Sequence, residues 1–189
     1  MTNVGNYTDK QILDRVASKA KGFIDYPKGP WIIGIASKED SMTFDDKFYL
    51  FNERKFIAVT SGTTNKGHKG TAVLCRDYFT YDCYAASDGK KVRHHNGKMP
   101  CLRQVKSIPY QRDFSKDGKT NPTTKIYYDI ISTNFHACDY DMSTTFVKEN
   151  IGGWSEGCPV VNNIPMYLFF LEYVRTHGGL SSLCLLNEF

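Results

Sequence analysis

The residues best placed to do chemistry lie in Gly153-Trp154-Ser155-Glu156-Gly157-Cys158-Pro159-Val160 and, upstream, in Asn134-Phe135-His136. A cysteine thiol attacks a carbonyl as its thiolate, which is scarce at neutral pH, so a nucleophilic cysteine needs a base beside it. His136 can be that base. It closes the β-type run Ile130-Ile131-Ser132-Thr133, and catalytic groups are commonly carried where a rigid scaffold meets a loop. Glycine ahead of the cysteine presents backbone without a Cβ, which a substrate carbonyl can approach closely. The polar, glycine-rich stretch from Gly152 onward suits a loop feeding a site better than a core strand. The plain alternative makes Cys158 a buried core thiol and His136 a structural histidine. A zinc site from His136, Cys138 and Cys158 with Asp139 or Asp141 is a second rival. Its ligand types fit, but Cys-x-x-Cys and His-x-x-x-His spacings are absent from the sequence. Neither a metal nor a cofactor is expected.

The elements that must position these groups follow from local pattern. Thr8-Asp9-Lys10-Gln11 is a capping box, and Ile12, Leu13, Val16, Ala17 and Ala20 recur at helical spacing, so a helix is predicted over residues 8–22, ended by Pro27, Gly29 and Pro30. Residues 31–36 read as a buried strand, and 48–51 with 56–60 as a hairpin across Asn52-Glu53-Arg54-Lys55. Further strands are predicted at 71–75, 78–84, 101–106, 108–112, 126–132 and 158–162, with 183–186 as a terminal strand. Turn signals at Asp88-Gly89, Asn96-Gly97 and Asp117-Gly118 separate them. Pro165 opens a second helix, 164–177, with Met166, Phe169, Phe170, Tyr173 and Val174 on one side, and Gly178-Gly179 stops it. The expectation is a mostly β (α+β) single domain over residues 1–189, with a helix near each end and a catalytic core at about 30–177.

Composition narrows the class. The apolar fraction of 41% and charged fraction of 23% are ordinary for a globular chain, and the 14% aromatic content favours β structure. A net charge of +4 with scattered basic residues is no nucleic-acid signature. The basic stretch Lys90, Lys91, Arg93, His94, His95 and Lys98 reads as solvated surface. Long apolar runs are missing, so no membrane span is expected. Met1 to Tyr7 shows no basic segment leading into an apolar one, so the chain is expected to be made as a cytosolic protein without its own signal peptide, or exported by a route its own sequence does not encode. The six cysteines, Cys75, Cys83, Cys101, Cys138, Cys158 and Cys184, then read mainly as buried or free thiols.

His136 with Ser155-Glu156-Gly157-Cys158 resembles the catalytic signature of the L,D-transpeptidase (YkuD-type) domain, a histidine at a strand end followed by Ser-x-Gly-Cys. Val59-Thr60-Ser61-Gly62-Thr63-Thr64-Asn65 with Gly67 and Gly70 is similar to that family's strand ending in a Gly/Thr-rich turn. Lys98-Met99-Pro100-Cys101-Leu102-Arg103-Gln104 and Tyr110-Gln111-Arg112-Asp113 resemble a divergent, bacteriophage-encoded branch, and the likeness spans about residues 30–175. Two departures stand out: Ala137 follows the histidine where the family usually has glycine, and Pro159-Val160-Val161 follows the cysteine where it usually has an Ile/Val-Arg pair.

The resemblance implies a β-sandwich or barrel acting on peptidoglycan stem peptides in the periplasm or cell wall, with no nucleic-acid or membrane partner. His136 would take the proton of Cys158, and the thiolate would form an acyl-enzyme at a carbonyl beside a D-configured centre. The amides of Gly157 and Cys158 would hold the oxyanion, and Ser155 would bond His136 or the substrate. Asn134 or a backbone carbonyl would orient the imidazole. Arg103 and Arg112 would take stem-peptide carboxylates, with Trp154 and Asn134 completing the substrate-binding set. Removing His136 would return Cys158 to a free-thiol pKa of about 8.5. With proline after the nucleophile and no following cation, an endolysin-like lytic hydrolase is expected ahead of a cross-linking transpeptidase. Another cysteine hydrolase, such as an amidase, and a non-catalytic virion protein keeping the fold are the alternatives.

Overall fold

A computed structural model describes residues 4–39, 42–67, 69–86, 93–94, 98–115, 117 and 119–189. The turns at Asp88-Gly89 and Asn96-Gly97, the basic residues Lys90, Lys91 and His95, and Gly118 lie outside them.

Helix α1 (Asp9–Lys19) begins at the capping box read from the sequence: the Gln11 amide donates to Thr8 Oγ1 at 3.3 Å and the Thr8 amide to Gln11 Oε1 at 2.8 Å. It ends earlier than residue 22. Lys21 donates to the Asp77 carbonyl and accepts from the Phe79 amide, both at 2.8 Å, so its backbone is paired as extended chain.

Strands β1 (Pro30–Ala36), β2 (Asp46–Asn52) and β3 (Lys55–Thr63) run as an antiparallel ribbon, with Glu53 at φ +53° turning the expected hairpin. Then come β4 (Ala72–Leu74), β5 (Tyr78–Ala85), β6 (Arg93–His94), β7 (Met99–Pro100), β8 (Arg103–Gln104), β9 (Ile108–Arg112), β10 (Tyr127–Asp129), β11 (His136–Ala137) and β12 (Val160–Val161), before α2 (Ile164–Thr176) and β13 (Leu180–Asn187). The main sheet has the order β11-β12-β3-β2-β1-β13-β5-β8, while β10-β9-β4 and β6-β7 form smaller sheets. Strand makes up 37% and helix 14%, in a curled half-barrel that agrees with the mostly β expectation.

Alternation along the strands sorts two cores. Trp31, Ile33, Ile35, Tyr49, Phe51, Cys184 and Leu186 pack with Ile12, Leu13 and Val16 of α1. Ile32, Phe48, Leu50, Leu183 and Leu185 turn to the other face and pack with α2 and the segments that carry the site. Central β1, covered on both faces, is buried at every position.

Several expectations are corrected. The run 101–106 is not one strand: β7 and β8 flank Leu102, whose amide and carbonyl pair with Phe135 instead. The run 126–132 stops pairing at Asp129, and Ser132 at φ +61° turns the chain out of line. Of the expected face of helix α2, Phe170 and Val174 are buried, but with Ile164 and Tyr167 rather than with Phe169, which is 45% exposed. This helix is apolar around most of its girth, so the sheet beneath chooses the face. All six cysteines are buried and none is in a disulfide. Among the described residues no helix is long and apolar enough to cross a membrane.

Candidate active site

The turn carrying the thiol is built by its own serine. Ser155 is fully buried; its hydroxyl donates to the Cys158 carbonyl at 2.8 Å and accepts the Gly157 amide at 3.0 Å. This corrects both roles expected of the pair. Ser155 closes the turn rather than bonding His136, and the Gly157 amide points at Ser155 rather than at an oxyanion. Gly157 adopts φ +134°, and a Cβ there would stand 2.5 Å from the Ala72 carbonyl oxygen. The close approach that demands glycine is therefore to β4, not to a substrate.

The loop after β3 straps this turn in place. The Gly67 amide donates to the Ser155 carbonyl at 2.9 Å and the Ala72 amide to that of Glu156 at 3.3 Å. A Cβ on Gly67 would lie 2.6 Å from the Gly152 carbonyl oxygen. That loop is anchored by Lys66, buried with Asp113 at 3.4 Å and donating to the Ser115 carbonyl at 2.8 Å. The Asp113 carboxylate is further held by the Ser115 and Asn121 amides, which donate to it at 2.8 and 2.7 Å.

His136 reaches the same place from β11. Its amide donates to the Pro159 carbonyl at 3.2 Å, and β11 runs parallel to β12 with His136 opposite Val160. Register partners in a parallel pair point to one face, and so do residues two apart in extended chain, so Cys158 belongs on the face of His136. The imidazole is fully buried, with Nδ1 2.7 Å from the Ala137 carbonyl oxygen. A carbonyl only accepts, so Nδ1 carries the proton and Nε2 keeps the lone pair that a general base requires. The orienting acceptor is this carbonyl; Asn134 does other work.

Cys158, 4% exposed, sits at a cavity of about 400 Å³ lined also by Thr71, Arg112, Ser132, Thr133 and Glu156. Burial pushes its thiol up to about 12, opposed by the backbone amide of Asn134, which favours the thiolate. Sγ lies 3.7 Å from the Ser132 carbonyl oxygen. The resting thiol is therefore neutral and has to lose its proton during attack.

The structure separates the two arginines. Arg112 borders the cavity, donating to Thr71 Oγ1 at 3.2 Å and lying over the Tyr110 ring at 4.9 Å. Arg103 is exposed on β8, opposite Ala85, and does not line the cavity. Trp154 stands off it too: it packs against Tyr140 at 4.8 Å with Lys148 Nζ 4.5 Å from its ring, and Lys148 pairs with Asp139 at 2.8 Å. Cys138 Sγ faces the Asn162 carbonyl at 3.5 Å, and among the described residues no group of three or more His, Cys, Asp or Glu could hold a metal ion. A larger cavity, about 670 Å³ around Tyr26, Tyr81 and His177, is lined by no cysteine, serine or threonine among the described residues.

Gln104 stands in the sequence as the last residue of the Lys98–Gln104 stretch that carries the resemblance, with no role marked; in the fold it is 3% exposed and bonded through both atoms of its amide. No known protein family, curated protein or solved structure matches the chain.

Proposed function

We propose that this chain is a cysteine-dependent enzyme of the L,D-transpeptidase kind, a bacteriophage lytic hydrolase that cleaves stem-peptide bonds of peptidoglycan in the bacterial cell wall. The observation that carries the reading is Cys158 at an Arg112-bordered cavity, on the strand face of a histidine whose Nδ1 proton is already fixed.

His136 Nε2 takes the thiol proton as sulfur attacks the carbonyl, and the imidazolium returns it to the leaving amine, leaving a thioester. Water then attacks the thioester carbonyl and gives a proton to Nε2; sulfur leaves and regains it as the thiol. Arg112 is the cation for a stem-peptide carboxylate, since a guanidinium meets a carboxylate through two parallel N–H groups. Hydrolysis is favoured over transfer because Pro159 offers no amide donor beside the nucleophile and no cation follows to hold an acceptor strand.

One observation favours a rival. A thiol only 4% exposed and pushed up to about 12 would also suit a binding protein that keeps this fold without catalysis. Digestion of purified muropeptides, read by mass spectrometry, decides between them. Shortened fragments from the wild type and none from Cys158→Ala or Cys158→Ser support the hydrolase. Activity retained in Cys158→Ala overturns the nucleophile, and new cross-links as the main product make the protein a transpeptidase.

A further inference from the structure

The wall of the cavity opposite the nucleophile turn is an irregular segment, residues 129–134, that pairs with no strand beyond Asp129. It supplies Ile131, Ser132 and Thr133 to the cavity and meets Cys158 through the Ser132 carbonyl, which also accepts the Asn134 amide at 2.9 Å. Such a path, with Ser132 at φ +61°, needs something to over-determine it.

Gln104 does so. Its Oε1 accepts the Ile131 and Thr133 amides at 3.0 Å each and the Thr133 hydroxyl at 3.1 Å. Its Nε2 donates to the Lys106 and Asp129 carbonyls, both at 2.9 Å, and its own amide donates to Asn134 Oδ1 at 3.0 Å. The Leu102–Phe135 backbone pair closes the same patch. One buried amide side chain therefore ties both ends of the segment to β8. We infer that Gln104 is the positioning residue of this site, holding the 129–134 segment so that the Ser132 carbonyl stays against the Cys158 sulfur. The inference rests on Cys158 being the nucleophile, and it adds a residue that touches neither thiol nor substrate.

Iodoacetamide labelling of Cys158, followed by peptide mass spectrometry across the neutral to alkaline range, needs no peptidoglycan. Its result is therefore separate from whether the proposed hydrolysis occurs. Gln104→Met keeps the bulk and removes every side-chain bond, so the thiol loses the carbonyl that accepts its proton and part of its cover. The ascending limb should move to lower pH and the labelling rate at a fixed pH on that limb should rise about tenfold, since both the lost bond and the lost burial favoured the neutral thiol. Gln104→Glu keeps the acceptor and disrupts the two donations, which should give a shift in the same direction but smaller; it carries the test if Gln104→Met does not fold. Val16→Ala, beneath α1 on the opposite face of the sheet, serves as a control for general loosening and should leave the limb unmoved. A profile for Gln104→Met and Gln104→Glu that superimposes on the wild type overturns the inference. So does an equal shift in Val16→Ala at a comparable loss of Tm.

Discussion

Replacing His136 by glutamine tests the centre of the reading, and its size can be worked from the burial of the thiol. In the intact protein burial already holds the Cys158 thiol up at about 12. At pH 7.5 its thiolate fraction would then be about 3 × 10⁻⁵, against roughly one-tenth for a free thiol of pKa about 8.5, a gap of about three thousandfold in alkylation rate. A base on Nε2 works against that gap by taking the proton as sulfur attacks, so that free thiolate need not accumulate first. In His136→Gln the rate near neutral pH should drop by about 10²–10⁴-fold, the usual worth of a positioned base, leaving only the labelling that the buried thiol allows by itself. The sequence alone suggested a return to the free-thiol value; desolvation holds the thiol well beyond it. Pulsed iodoacetamide with peptide mass spectrometry reads the rates, with buried Cys83 and Cys184 as internal references. Identical profiles in the two proteins would show that His136 does not act on Cys158.

Two stability outcomes follow from the same packing. Gly157→Ala forces a side chain into φ +134° and 2.5 Å from the Ala72 carbonyl; strain of that kind costs about 1–3 kcal/mol before the clash is counted, so a urea midpoint that barely moves would contradict the placement of this turn. Burial raises Cys83, Cys101 and Cys158 each to about 12. A raised folded-state pKa gives stability that is complete below the unfolded value and lost as pH climbs through the folded one. Against an unfolded thiol value of about 8.5, the three thiols should therefore remove about 6 kcal/mol of unfolding free energy between pH 8 and pH 10, and flat denaturation midpoints across that window would show the thiols to be solvated.

What the sequence made legible was local. The Thr8–Gln11 box, the hairpin about Glu53 and the β1 run are each set by residues within a turn or a strand of one another, and each is found where expected. Helix α2 was legible in extent but not in orientation, since an almost wholly apolar helix lets Tyr167 or Phe169 face inward until a sheet decides. The site divides the same way. Cys158 and His136 could be matched because residue type and a short strand register are enough to bring them to one face. Ser155, Arg103 and Arg112 could not be sorted, because a hydroxyl or a guanidinium looks the same in sequence whether it closes a turn, borders a cavity or meets solvent. Only the folded chain distinguishes the Ser155 bonds within its own turn from bonds to His136, or the inward Arg112 from the exposed Arg103. Gln104 is the extreme case. Its partners lie up to the 134 position, in a segment without regular pairing, and alternation along a predicted strand cannot say that a polar side chain will find such partners. A glutamine satisfied on both amide atoms in a buried site arises because an irregular segment must bond its amides to something, and here no strand is available to receive them.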